Sequence, residues 1–149
     1  MPLIVSHSEQ LPAFRRLEQD RVPIIRRSRA EQQDIRPLNV GLLNLMPTAA
    51  KEATEIQYFR LLANTPLQIN PYLVYFDKHK SQSSADHLDR FYRRFSEIKE
   101  IGLDGLIITG ANLEHYAFED VYYWDEFKDL ILWADAHVTS TIYGCWASH

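Results

Sequence analysis

Thr139-Ser140-Thr141-Ile142-Tyr143-Gly144-Cys145-Trp146-Ala147 is a run of β-branched, hydroxylated and aromatic residues that ends in a cysteine set among small residues. Side chains of that kind fit a pleated, half-buried strand. Gly144 before the cysteine and Ala147 two positions after it relieve the crowding of a sharp strand-to-helix turn. A turn of this type lifts a side chain above the end of a sheet, which is the steric logic of a nucleophile elbow. The backbone that follows presents free N–H groups to a developing oxyanion. Position alone leaves a second reading level with this one, because a free cysteine ending an apolar strand also serves as a small core hydrophobe.

Outward from this segment, residues 38–45, 67–76 and 105–109 are further short aliphatic runs, with 138–143 as the fourth. Between them the apolar spacing becomes helical, first at Ile56, Phe59 and Leu62, then at Leu88, Phe91, Tyr92, Phe95 and Ile98, then at Tyr123, Phe127, Leu130, Ile131 and Ala134. Each set forms one apolar stripe for packing on a sheet. Strands alternating with such helices predict right-handed crossovers and an α/β architecture: a doubly wound, flavodoxin-like, mostly parallel sheet with helices on both faces. Ligands bind such sheets at the carboxyl ends of the strands. Residues 1–37 fit the alternation poorly and are read as an N-terminal arm that packs on the sheet or on a second subunit. Residues 38–149 form the α/β part, and the polar run 77–84 is a connecting loop.

The chain has 149 residues, 46% of them hydrophobic, enough for a single buried core. It carries 16 basic and 20 acidic residues for a net charge of -4, and no basic stripe suits a phosphate backbone, so nucleic acid is not an expected partner. No stretch reaches the ~20 apolar residues that span a bilayer, and the start Met1-Pro2-Leu3-Ile4-Val5-Ser6-His7 lacks a signal pattern. A cytoplasmic protein without membrane contact is expected. The lone cysteine has no partner for an intramolecular disulfide, and no second cysteine or nearby histidine pair offers it a shared metal. One cysteine beside several histidines in an intracellular chain is a candidate nucleophile.

The third strand is followed by Thr109-Gly110-Ala111-Asn112-Leu113-Glu114-His115. Gly110 and Ala111 permit close backbone approach at the carboxyl end of a strand, so the N–H of Ala111, with that of Trp146, is a candidate oxyanion-hole donor beside Cys145. An ordinary strand-ending turn explains the same loop residues.

Four separated stretches resemble one family: Val40-Gly41-Leu42-Leu43-Asn44-Leu45-Met46-Pro47-Thr48, Arg60-Leu61-Leu62-Ala63-Asn64-Thr65-Pro66-Leu67-Gln68, Asp104-Gly105-Leu106-Ile107-Ile108-Thr109-Gly110-Ala111, and His137-Val138-Thr139-Ser140-Thr141 on through Cys145-Trp146-Ala147. They are similar to the homoserine O-succinyltransferases and O-acetyltransferases, whose fold is class I glutamine amidotransferase-like, and the resemblance covers essentially the whole chain. It implies a ping-pong reaction in which Cys145, matching the family nucleophile, takes an acyl group from acyl-CoA as a thioester. The acyl group then passes to the hydroxyl of L-homoserine, activating it for methionine biosynthesis. Acyl-CoA is a substrate here, and no bound cofactor is implied. L-Serine, one methylene shorter, is the alternative acceptor.

Within that family the residue at the position of Glu114 sorts the donors, glycine accompanying succinyl-CoA and glutamate accompanying acetyl-CoA. A glutamate fills the pocket and repels the free carboxylate of a succinyl group, so the resemblance implies acetyl-CoA, with succinyl-CoA as the alternative. It also suggests a possible homodimer. Where family members run Met-Pro-Thr-Lys, this chain places Ala49 and Ala50 between Thr48 and Lys51, and Asn112 stands where proline is usual. The family draws its general base, a histidine with an accompanying glutamate, from a part of the protein beyond residue 149. His149 lies four residues after Cys145 but at a chain end prone to fray, and His7, His79, His87, His115 and His137 read as surface or capping residues. The expectation is therefore that the 149-residue polypeptide alone is inactive or nearly so. A non-catalytic binding module that keeps the fold and a glutamine amidotransferase-type hydrolase are the competing functional classes.

Overall fold

The structure, a computed structural model, describes residues 3–5, 10–77, 85–113 and 115–149. Among these, seven strands form one sheet: β1 (Leu3–Val5), β2 (Ile24–Arg26), β3 (Leu38–Leu43), β4 (Ile69–Tyr75), β5 (Tyr92–Arg94), β6 (Gly105–Ile108) and β7 (Ser140–Tyr143). Their order is β2-β1-β4-β3-β6-β7, with β5 paired to β4, and every pairing is parallel. The helices are α1 (Pro12–Gln19), α2 (Arg27–Ala30), α3 (Thr48–Ala63), α4 (Ala85–Phe91), α5 (Phe95–Ile101) and α6 (Trp124–His137). This is the doubly wound α/β class that the strand and helix alternation predicts.

β3 is central because its side chains are apolar on both faces, as a doubly covered parallel strand requires. Val40, Leu42 and Leu43 are all buried. One face of the sheet packs Leu3, Leu42 and Leu73 against Phe14 and Leu17 of α1 and Phe59 of α3, with the Phe14 and Phe59 rings stacked at 5.4 Å. The other face packs Leu43, Val74, Leu106 and Ile108 against Phe95 and Ile98 of α5 and Phe127 and Leu130 of α6. From β3 the chain crosses first to β4 on one side and then back to β6 on the other. The carboxyl ends of β3 and β6 thus flank a topological switch point, the place where such sheets bind ligands.

Three strands escape the sequence reading. β1 and β2 come from the N-terminal arm, which joins the sheet edge through Leu3 opposite Ile69. The arm covers the first part of β4, whose backbone groups there need partners. β5 covers the last part, with Leu73, Val74 and Tyr75 opposite Tyr92, Arg93 and Arg94. The single helix expected from Leu88 to Ile98 is therefore broken into α4, β5 and α5. Tyr92 stays buried in either arrangement, so the apolar pattern does not register the break.

α3 also differs from its expected face. Its buried stripe is Lys51, Thr54, Glu55, Phe59 and Ala63, with Ile56 and Leu62 half-buried at the margin. At the opposite end of the sheet β7 is an edge, pairing only with β6 among the described residues. No helix among the described residues is long and apolar enough to cross a membrane.

Candidate active site

Two strand ends meet at the cysteine. β6 finishes at Ile108, and the Gly144 N–H donates to the Ile108 carbonyl at 2.9 Å, carrying the β6 to β7 pairing one step past β7. Cys145 then takes φ +53°, the left-handed region that a residue with a Cβ rarely adopts. Strain of this kind costs on the order of 1–3 kcal/mol and persists where the surroundings over-determine it. Here the chain closes at once into a 3-10 turn, Cys145–Ser148, with the Ala147 N–H donating to Gly144 O at 3.2 Å and the Ser148 hydroxyl to Cys145 O at 2.6 Å. The Trp146 side chain, 8% exposed, is packed among Phe127 at 5.2 Å, Phe118 at 5.9 Å and Tyr123 at 6.2 Å between ring centroids. An exposed sulfur is thereby followed by a deeply anchored neighbour.

Gly110 meets the cysteine from β6. A Cβ at Gly110 would stand 2.8 Å from Cys145 Cβ and 3.2 Å from Sγ, so the Gly110 backbone lies against the thiol side chain and only glycine fits. Ala111, Leu113, Tyr116, Phe118, Cys145 and Trp146 line a cavity of about 300 Å³. The structure thus brings together Cys145, Ala111 and Trp146, three of the residues singled out in the sequence. The fourth, Glu114, lies outside the described residues, as do His7 and His79. His149 borders the same cavity, while His115 is exposed and His137 contacts the Trp133 carbonyl at 3.0 Å through Nδ1.

Thr109 lies between β6 and this loop. It is 2% exposed, and its main-chain N–H donates to Leu43 O at 3.1 Å. Its hydroxyl accepts from the Leu45 N–H at 2.8 Å and donates to the Gly110 carbonyl at 3.0 Å. These bonds span the switch point between the ends of β3 and β6.

A polar network that sequence reading missed lies on the other side of β3. The Lys51 Nζ donates to Asn44 O at 2.9 Å, and Asn44 Nδ2 donates to Lys51 O at 3.1 Å and to the Tyr92 hydroxyl at 3.3 Å. That hydroxyl donates to Glu55 Oε1 at 2.6 Å, and His87 Nε2 lies 3.1 Å from the same oxygen. His87 is therefore a member of a buried cluster, not the surface or capping residue expected. Glu55 is 0% exposed and its Oε2 is without a partner among the described residues. Burial pushes the Lys51 ammonium down to about 8, with the Glu55 charge opposing the shift. Burial, reinforced by that same charge, pushes the Tyr92 hydroxyl far above its usual range. The signal available in the sequence was the α3 stripe itself, which runs back from Ala63 and Phe59 at four-residue steps onto Glu55 and Lys51.

No group of His, Cys, Asp and Glu suited to holding a metal ion occurs among the described residues. Comparison with known proteins matches the family model of homoserine O-succinyltransferase over residues 2–149. The chain is 50% identical over its whole length to a homoserine O-succinyltransferase of Pseudoalteromonas translucida, covering 46% of that protein. It is 49% identical over 93% of its length to homoserine O-acetyltransferases of Desulfovibrio desulfuricans and Streptococcus thermophilus, covering 44% of each. The chain thus spans about half the length of the curated relatives it matches. A match over residues 2–149, on a doubly wound sheet in which β7 leads through Gly144 into a left-handed cysteine, places the chain in the homoserine O-succinyltransferase family.

Proposed function

We propose that this chain forms the nucleophile-bearing part of a homoserine O-acyltransferase in which Cys145 carries the acyl group. The observation that carries the reading is the left-handed Cys145 with the Gly110 backbone against its side chain, open to a cavity at the carboxyl ends of β6 and β7. In the first half-reaction the Cys145 thiolate attacks the thioester carbonyl of acyl-CoA. A carbon–sulfur bond forms, the carbonyl oxygen becomes an oxyanion held by the Ala111 and Trp146 N–H groups, and the CoA thiolate leaves with the electron pair. In the second, the homoserine hydroxyl attacks the new thioester, gives up its proton to a base, and expels Cys145 as the thiolate. Splitting the transfer through a sulfur leaving group replaces one hard step by two easier ones.

The base assigned by the family resemblance is a histidine supported by a glutamate beyond residue 149. The 149-residue chain is therefore expected to complete the first half-reaction at most, without turnover. Acetyl-CoA is the proposed donor, on the argument that the Glu114 carboxylate repels a succinyl carboxylate. The named relatives carry both donors in their names.

Intact-mass measurement after separate incubations with acetyl-CoA and succinyl-CoA tests this reading. One acetyl group on Cys145, absent in Cys145→Ala and formed faster than a succinyl adduct, is expected. An unmodified chain would remove Cys145 from the acyl-carrier role, and faster succinylation would reverse the donor. Ordinary steady-state turnover with homoserine by the chain alone would overturn the need for an outside base.

A further inference from the structure

The Thr109 hydroxyl is buried at the switch point, where a valine of the same shape fills the same space without a polar group. Burying a hydroxyl is costly unless its bonds are made. Here both are: the Leu45 N–H, itself a donor, occupies an acceptor site on Oγ1, which leaves the hydroxyl proton for the Gly110 carbonyl. The Gly110 carbonyl and the Ala111 N–H belong to one planar trans peptide, so they point in opposite directions. Fixing the carbonyl toward Thr109 fixes the N–H away from it. Ala111 itself borders the cavity that contains Cys145.

We infer that Thr109 is a positioning residue for acyl transfer: its hydroxyl holds the Gly110–Ala111 peptide so that the Ala111 N–H is presented to the oxyanion formed on Cys145. This inference rests on the proposed roles of Cys145 and Ala111. Gly110 needs such a restraint because it has no side chain of its own, and glycine is the residue most free to rotate its flanking peptides. Leu45 supplies the other end of the restraint, tying the loop after β3 to the loop after β6. An oxyanion donor is effective only when already aimed, since reorientation during the reaction consumes the stabilisation it gives.

The test compares two reactions of the same thiol in the 149-residue chain. With p-nitrophenyl acetate, the sulfur–acyl bond forms through an oxyanion, the ester C–O bond breaks, p-nitrophenolate leaves with the electron pair and the thiol proton goes to solvent. With iodoacetamide, a sulfur–carbon bond forms and iodide leaves, with no oxyanion. The ratio of the two rates therefore reads the oxyanion hole separately from thiol exposure and ionisation. The wild-type ratio should exceed that of the urea-unfolded chain. Removal of an oxyanion-hole donor costs on the order of 100-fold or more, so a mis-aimed one in Thr109→Val should lower the ratio about tenfold or more. Thr109→Ala, a second variant without the hydroxyl, should fall likewise, and Thr109→Ser, which retains it, should restore the ratio. Circular dichroism confirms which variants are folded. A folded Thr109→Val or Thr109→Ala with the wild-type ratio overturns the positioning role. A wild-type ratio no higher than that of the unfolded chain instead removes the oxyanion hole itself, and the inference with it.

Discussion

Gly110 and Cys145 are packed so closely that a single methyl group on the glycine would lie 2.8 Å from the cysteine Cβ. The contact joins the loop after β6 to the elbow after β7, and it leaves the elbow no room to retreat. Gly110→Ala must therefore push Cys145 out of its left-handed turn or shift the β6 loop. Overpacking of this kind costs about 1–3 kcal/mol. Urea titration should show that loss, and acetyl transfer from acetyl-CoA to Cys145 should fall with it. An alanine variant that melts and acylates like the wild type would show that the contact is loose.

Trp146 anchors the turn from the other side. Its ring lies among Phe118, Tyr123 and Phe127, while the preceding cysteine remains exposed. Trp146→Ala is expected to destabilise the chain by roughly 3–5 kcal/mol, the usual cost of deleting a buried aromatic. Trp146→Phe should recover most of it. Equal midpoints for the alanine and phenylalanine variants in urea would mean that the ring cluster does not hold the elbow.

The sequence shows the four longer strands because each is rich in β-branched or aliphatic residues, and it shows the cysteine turn because Gly144 and Ala147 flank it. β1, β2 and β5 are only three residues long, too short for any periodicity to develop, and β5 interrupts a helical pattern whose buried positions, Leu88, Tyr92, Phe95 and Ile98, remain buried after the break. Lys51 and Glu55 escape the sequence reading because charged residues seldom line a buried stripe. Their burial is set by nearby Asn44 and by Tyr92 and His87, which lie far away in sequence and are brought to α3 through the β3, β4 and β5 pairing. Thr109 is visible as a β-branched strand residue, but its hydroxyl bonds depend on Leu45 across the switch point.

Lys51 sets a pH dependence whose sign follows from its displacement. Its ammonium titrates at about 8 in the folded chain and at 10.5 when unfolded, so between those values the unfolded state binds more protons. Stability must rise with pH across that window. Below about pH 8 both states are protonated and the penalty for burying the charge is fully present; above 10.5 it is gone. The rise is roughly 3 kcal/mol at most, from about 1.4 kcal/mol for each unit of displacement. Urea midpoints measured from pH 7.5 to 10.5 should climb in the wild type and lose this component in Lys51→Met. A parallel climb in both proteins would assign the slope to other groups.

Tyr92 and Glu55 should be energetically coupled, because the phenol is a direct donor to a carboxylate that is 0% exposed. Tyr92→Phe leaves Glu55 Oε1 with His87 alone and is expected to cost about 1–3 kcal/mol, the penalty for stranding a buried polar group. The same change made in Glu55→Gln should cost less, since a neutral amide needs the donor less than a carboxylate does. A double-mutant cycle with no coupling energy would show that the 2.6 Å contact contributes nothing to the folded state.

Ile142 marks the end of the apolar surface of the sheet. It sits opposite Ile107, which is buried in the cluster beneath α1 and α3, yet Ile142 itself is 58% exposed. The apolar face thus continues past β6 onto β7 without a cover among the described residues. A parallel edge strand with an uncovered aliphatic side chain is prone to pair with other copies. The 149-residue chain should accordingly self-associate with rising concentration in sedimentation velocity, and Ile142→Lys should shift it toward monomer. Because the residue is exposed, the substitution should change folding stability by no more than about 0.5 kcal/mol, which separates loss of association from loss of fold. If wild type and variant dissociate over the same concentration range, the contact lies elsewhere on the molecule. If the variant instead melts well below the wild type, Ile142 packs against something in the monomer.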